Sequence, residues 1–267
     1  MSGRLAGKVA LVTGAGSRGP GIGNGKAAAI LFAREGARVL CADQVQARAE
    51  ETVALIRQEG GEAAAFAADV THAAECRAMV EAAVSRWGGL DVVHNNVGIE
   101  SRHGVLETTE EEWDRVMAVD LKSILLTTQA AVPALERRGG GAIICISSVA
   151  GLRGYGRTAY AAAKAGVIGF VTSVAVQLGP RGIRVNAIAP GTVWTPMVED
   201  LGPEARERRR QATPLGTEGT AWDVGWGAVY LASDESRWVT GQVLVIDAGL
   251  TATAAGGTPQ GSPARQS

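Results

Sequence analysis

Short apolar runs alternate with helix-patterned stretches along most of this chain, and that alternation limits the fold more than any other feature. Val9-Ala10-Leu11-Val12-Thr13 reads as a buried strand, residues 25–35 as a helix, and Arg38-Val39-Leu40-Cys41-Ala42 as a second strand. A helix over 46–59, a strand over 64–68 and a helix over 73–87 follow. Further strands are expected over 90–94, 142–147, 184–188 and 243–246, with helices over 109–118, 122–138 and 158–178. The strand segments are continuously apolar rather than alternating, as in strands buried on both faces of a parallel sheet. Right-handed crossovers then give a single α/β domain, a doubly wound parallel sheet with helices on both faces, over residues 1–250. Residues 251–267 turn to Ala, Gly, Thr, Pro, Ser and Gln without apolar periodicity and read as a flexible C-terminal tail.

Bulk properties narrow the partners. A chain of 267 residues that is 46% hydrophobic can bury a large core. A net charge of −1 gives no electrostatic reason to expect nucleic acid or an anionic membrane. No uninterrupted apolar run reaches the roughly 20 residues that span a bilayer. The start, Met1-Ser2-Gly3-Arg4-Leu5, lacks the apolar segment of a signal peptide. Cys41, Cys76 and Cys145 have no metal-like spacing, and His72, His94 and His103 are scattered, so no metal is expected. Reduced thiols in a cytoplasmic compartment fit this cysteine usage.

Two clusters carry chemistry. The first strand runs into Gly14-Ala15-Gly16-Ser17-Arg18-Gly19-Pro20-Gly21-Ile22-Gly23, directly before a helix. Glycines there let the backbone approach a pyrophosphate, and the helix N-terminus offers free N–H groups and a positive dipole end. Asp43 follows the second strand, 20 residues after Gly23. A carboxylate at that place accepts hydrogen bonds from a ribose diol and repels a 2′-phosphate, so NAD is expected over NADP. Arg18 is the opposing feature, since a basic loop residue could meet a 2′-phosphate. The second cluster is Tyr160 and Lys164, four apart in an alanine-rich helical stretch and hence on one face. A phenol titrates near 10 when free. A neighbouring ammonium favours its phenolate, which lets it exchange a proton with an alcohol oxygen.

Together these residues resemble the short-chain dehydrogenase/reductase family over roughly residues 5–250, which implies a Rossmann-type fold. Thr13, Gly14, Gly21 and Gly23 match the family's TGxxxGxG, but six residues separate Gly14 from Gly21 where the family has three. The resemblance implies that Ser17, Arg18 and Ile22 of this loop also meet the cofactor. Asp69-Val70 matches the pair that contacts adenine, and Asn95-Asn96-Val97-Gly98 resembles the NNAG motif that lines the cofactor. Pro190-Gly191-Thr192-Val193-Trp194-Thr195 resembles the segment that holds the nicotinamide carboxamide, with Thr195 and the backbone of Val193 as its contacts. Ser148 matches the catalytic serine, with Ser147 as the alternative, and Asn186 matches a structural asparagine. Asp120 stands where the family's catalytic asparagine belongs. In the family that residue's main-chain carbonyl holds a water that contacts the lysine, a role an aspartate can keep.

The resemblance implies hydride transfer between NAD(H) and a secondary alcohol or ketone. Ser148 would orient the substrate oxygen, Tyr160 exchange a proton with it, and Lys164 lower the tyrosine pKa and hold the nicotinamide ribose. Segments 99–104, 152–157 and 194–215 are expected around the substrate, with His103, Arg153, Tyr155, Trp194 and Met197 as candidate contacts. The alternatives are another reductase of the same fold, such as an enoyl reductase, and a non-catalytic dinucleotide sensor. Enoyl reductases usually space their tyrosine and lysine more widely, and sensors commonly lose one of the two. The resemblance also implies a homo-oligomer, most often a tetramer, with the helices near 122–138 and 158–178 at its interface.

Overall fold

The computed structural model describes residues 3–198 and 201–253. Its elements run β1 (Val9–Thr13), α1 (Asn24–Arg34), β2 (Arg38–Asp43), α2 (Gln46–Gln58), β3 (Ala63–Ala67), α3 (Ala73–Trp87), β4 (Val92–Asn95), α4 (Glu110–Met117), α5 (Ser123–Arg137), β5 (Gly141–Ile146), α6 (Thr158–Leu178), β6 (Ile183–Pro190), β7 (Val193–Trp194), α7 (Pro203–Gln211), β8 (Gly219–Thr220), α8 (Ala221–Ala232) and β9 (Val243–Ile246). Seven strands form one parallel sheet in the order β3-β2-β1-β4-β5-β6-β9, and β7 and β8 make a separate two-stranded pair. The expected strand–helix alternation and doubly wound sheet are both present.

Side chains alternate across the pleat and supply two cores. Ala10 and Val12 of β1 join Phe32 and Leu31 of α1 and Val224 and Ala228 of α8 on one face. Val9 and Leu11 join Met79 of α3, Leu135 of α5 and Val167 of α6 on the other. The order reverses between β1 and β4, so the loops leaving these two strands diverge to opposite faces and open a crevice.

The helix α8 was not expected from the sequence, because Gly225 and Gly227 lower its helix propensity. Both glycines are packing requirements: a Cβ at Gly225 would lie 2.7 Å from Leu31 Cδ1, and one at Gly227 2.4 Å from Ile246 Cδ1. The sequence signal was its capping box, in which Thr220 and Asp223 satisfy each other's backbone N–H groups.

Residues 158–181 form a helix long and apolar enough to cross a bilayer, with mean hydropathy 1.5, although no uninterrupted apolar run was found in the sequence. This helix packs along β6 and carries Tyr160 and Lys164, so one of its faces belongs to the site. Of the expected tail, residues 251–253 form a turn, with Thr251 N–H donating to Asp247 Oδ2 at 2.7 Å, and residues 254–267 lie outside the described residues.

His94 is structural. It pairs with Val12 in the β1–β4 register, meets Phe32 edge-to-face with ring centres 5.9 Å apart, and neither ring nitrogen has a hydrogen-bond partner. Burial pushes its imidazolium down to about 3. An unfolded histidine titrates near 6.5, so between about 6.5 and 3 the unfolded chain holds the extra proton. Stability should therefore be intact above 6.5 and fall as pH drops below it, by at most about 1.4 kcal/mol per unit from this group. Denaturant unfolding of the wild type and His94→Leu at pH 7 and pH 5 should show a steeper loss in the wild type. Equal losses would show that His94 is protonated in the fold.

Candidate active site

A cleft of about 720 Å³ opens at the carboxyl ends of β1, β4 and β5, over the point where the strand order reverses. Asn96 ties its floor together. Its Nδ2 donates to Gly14 O at 3.1 Å and Thr13 O at 3.3 Å, and its backbone N–H donates to Thr13 Oγ1 at 3.1 Å. Gly14 leaves β1 at φ +63°, which favours a residue without a side chain.

The helix α1 starts at Asn24, and its N-cap Gly23 makes no side-chain cap, so the first N–H groups and the dipole end face the cleft. Gly25 is the close approach: a Cβ there would lie 2.1 Å from Gly14 O and 2.4 Å from Asn96 Nδ2. From sequence the paired glycines are Gly21 and Gly23; in the structure Gly23 is the N-cap of α1, and the tight packing falls on Gly25 inside its first turn. Gly21 and Ile22 leave the main cleft and border a separate cavity of about 110 Å³ with Pro20, Trp194 and Pro196. Gly14, Ser17, Arg18 and Gly23 do line the main cleft, and Ser17 Oγ accepts from Gly23 N–H at 3.0 Å. Asn24, Gly25 and Arg48 line it too, Asn24 and Gly25 from the first turn of α1, and are not among the residues that the motif marks.

Asp43 faces the same end. Its Oδ2 accepts from Gly16 N–H at 3.2 Å and its Oδ1 from Val45 N–H at 3.0 Å, and each oxygen keeps a lone pair for a ligand. Asp69 and Val70, Asn96, Val97 and Gly98, and Pro190, Gly191, Val193 and Thr195 all line the cleft as expected. The free helix end, the glycine cradle and the carboxylate fit a dinucleotide lying across the sheet ends. No cluster of residues suited to a metal ion occurs among the described residues.

Ser148, Tyr160 and Lys164 converge at the other end of the cleft. One helical turn places Lys164 Nζ 5.5 Å from the centre of the Tyr160 ring. Ser147 Oγ is buried and donates to Lys164 O at 2.8 Å, so this hydroxyl is committed to α6. Ser148 Oγ accepts from Ala150 N–H at 3.1 Å and faces the Tyr160 hydroxyl.

Asp120 is fully buried in a π-helical turn, Ala118–Lys122, between α4 and α5. Its Oδ1 accepts from Ile99 N–H at 2.8 Å, and its Oδ2 lies 3.0 Å from Lys164 Nζ. That contact is a charge pair without hydrogen-bond alignment: Oδ2 has no aligned donor, while the ammonium donates to Ile146 O at 3.2 Å. Gly98 leaves room for the pair, since a Cβ there would lie 3.1 Å from both Oδ2 and Nζ. The Asp120 side chain thus meets the lysine directly. Burial pushes the Tyr160 phenol up, Lys164 and Ser148 pull it down, Asp120 and Tyr155 push it up again, and the net is upward. Burial pulls Lys164 down, but Asp120 and then Tyr160 attract the ammonium and the net is upward.

The substrate candidates divide. Tyr155 lines the cleft, its ring centre 6.0 Å from that of Tyr160. His103, Arg153 and Trp194 do not line it. His103 Nδ1 is 2.6 Å from Glu112 Oε2, Arg153 Nη1 donates to Leu250 O at 2.8 Å, and Trp194 stacks under Arg206 at 3.7 Å. Met197 lies in the turn Pro196–Val198, and its side chain is outside the described residues. Arg115 and Arg209, not singled out from sequence, reach the cleft.

A doubly wound parallel sheet with a glycine-lined cleft where its strand order reverses defines a protein of the Rossmann type. The profile of a family described as enoyl-(acyl carrier protein) reductase matches residues 19–251. A 3-oxoacyl-[acyl-carrier-protein] reductase of Thermotoga maritima is 42% identical over 248 residues, covering 92% of this chain and 99% of its own. A 2,5-dichloro-2,5-cyclohexadiene-1,4-diol dehydrogenase of Sphingobium indicum is 40% identical over 250 residues, covering 93% and 98%. The structure of a 7α-hydroxysteroid dehydrogenase, complexed with NADH and 7-oxo glycochenodeoxycholic acid, superposes with TM-score 0.87 at 34% identity, covering 92% and 95%. The chain belongs to the short-chain dehydrogenase/reductase family.

Gly25→Ala should weaken dinucleotide binding by about tenfold or more, equivalent to 1.4 kcal/mol, because the new Cβ forces α1 away from β1. Unchanged affinity by titration calorimetry would show that the cradle tolerates a side chain.

Proposed function

We propose that this protein transfers a hydride between NAD(H) and a secondary alcohol or ketone, with Tyr160 as the general acid/base. The convergence of Ser148, Tyr160 and Lys164 beside the cleft carries this reading. Gly14, Ser17, Gly23 and the α1 N-terminus would hold the pyrophosphate, Asp43 the adenosine ribose, Asp69 and Val70 the adenine, and Thr195 with the Val193 backbone the carboxamide. The bound nicotinamide supplies or accepts the hydride. Ser148 hydrogen-bonds the substrate oxygen and holds it against Tyr160. The Tyr160 hydroxyl gives that oxygen a proton during reduction and takes it back during oxidation. Lys164 binds the nicotinamide ribose and orients the phenol. The position of Asp43 supports NAD over NADP, as does the NADH held by the similar hydroxysteroid dehydrogenase. Arg18 and Arg48 beside the same ribose end are the features that favour NADP.

Self-association accompanies this reading. Val176 of α6 is 78% exposed and Leu125 of α5 41%, and only a third of the apolar window of residues 158–181 is buried within one chain. Apolar surface of this extent on two helices over the same face of the sheet fits a partner copy. A homotetramer is expected by light scattering, and a monomer at micromolar concentration would overturn it.

Tyr160→Phe should fold and bind NAD but lose about a thousandfold in kcat, the scale of general acid–base catalysis. Retained turnover on secondary alcohols, followed as NADH formation, would refute the role of Tyr160. The kcat/KM ratio of NAD to NADP should favour NAD and fall about tenfold or more in Asp43→Ala. Comparable values for both cofactors in the wild type would refute the preference.

A further inference from the structure

We propose that the Asp120 carboxylate neutralises Lys164 and thereby holds Tyr160 as a phenol at neutral pH, so that the site is set to reduce a carbonyl rather than to oxidise an alcohol. This rests on the proton-exchange role of Tyr160 proposed above. An unpaired ammonium beside a buried phenol would draw out its proton. Here the ammonium sits 3.0 Å from a carboxylate, and both side chains are almost wholly inaccessible. In such surroundings the pair acts on a third group as a dipole rather than as a free cation.

The other ionisable neighbours do not restore the missing field. On α6 Tyr160 and Lys164 face each other. From β5 comes the Cys145 thiol, pushed up to about 12 by burial and hence neutral. From the loop before α6 comes Tyr155, a second phenol. Beyond β4, Glu100 is held by Arg157 at 2.7 Å. Arg115 of α4 borders the cleft, and Arg18 donates to Gly98 O at 3.5 Å, but both are exposed to solvent that screens them. Among the described residues, Asp120 is the only carboxylate within ion-pair distance of Lys164. The net upward displacement of the Tyr160 phenol agrees with this balance.

The proton transfer is conservative. In reduction the Tyr160 O–H bond breaks and the substrate O–H bond forms, as the carbonyl π electrons withdraw to oxygen while hydride reaches carbon. The phenolate left behind regains its proton from solvent. Oxidation needs the phenolate first, so its rate should rise only as pH passes the phenol pKa. Asp120 is a positioning residue: it is fully buried, does not line the cleft and acts through Lys164.

The test has two arms. The first is the ultraviolet phenolate difference titration of the cofactor-free protein, wild type minus Tyr160→Phe. Tyr160 should ionise no lower than a free phenol, near 10; ionisation below about 8 would overturn the proposal whether or not any Asp120 variant folds. The second arm repeats the titration on Asp120→Asn, with pH–rate profiles in both directions. Asn keeps an acceptor for Ile99 N–H and removes the charge. The phenolate transition and the rising oxidation limb should both move to lower pH by about one unit or more, a tenfold gain in oxidation at fixed neutral pH. Superimposed profiles, or a shift to higher pH, would overturn the counter-charge role. Turnover retained in Tyr160→Phe would instead refute the proton-exchange reading, and the titration would still report on Asp120.

Discussion

Where β1 ends, two backbones and one amide meet with no space between them. Asn96 reaches from the end of β4 to the carbonyls of Thr13 and Gly14, and Gly25 presses α1 against the same carbonyl. Buried carbonyls at the end of a parallel strand need donors, and a side-chain amide supplies two. This clamp fixes β1, β4 and α1 at the point where the strand order reverses. It therefore sets the width of the crevice and the direction of the α1 dipole. Every cofactor contact proposed above is placed relative to it.

At the far end of the crevice a second constraint operates. Lys164 is buried where a lone ammonium would be heavily penalised, and Asp120 and the Ile146 carbonyl make the burial tolerable. The π turn over Ala118–Lys122 brings Asp120 to the pair, and Gly98 vacates the space beside it. Extra residues in a helix cost regular hydrogen bonding and are found where a functional group must be displaced from the helical path. Stability and proton chemistry thus share one ion pair: the arrangement that permits a buried lysine also limits how strongly that lysine can acidify the phenol.

Much of the fold could be read along the chain because the signals are local. Continuous apolar strands, helical periodicity and a glycine turn need no knowledge of distant residues, and α3, α6 and β9 begin and end close to their expected bounds. The helix α8 was hidden because its glycines answer to Leu31 and Ile246, far away in sequence. The same holds for the cofactor turn. Gly21 and Gly25 are alike as letters, and only the 2.1 Å approach to Gly14 O separates the packed glycine from the one in the outer loop. Candidate substrate residues fared worst. His103 and Arg153 have internal partners that no spacing rule reveals.

The sequence by itself determined the parallel α/β architecture, the glycine turn before α1, the acidic end of β2 and the shared helical face of Tyr160 and Lys164. Each of these follows from backbone preference or periodicity over a few residues. The tertiary structure alone decided that Ser147 is spent on Lys164 O while Ser148 faces the tyrosine, and that Gly25 is the tight contact. It alone decided that the aspartate in the asparagine's place turns its carboxylate to the lysine. The reason is that hydrogen-bond partners, close approaches and buried charge pairs join residues that only the folded sheet brings together.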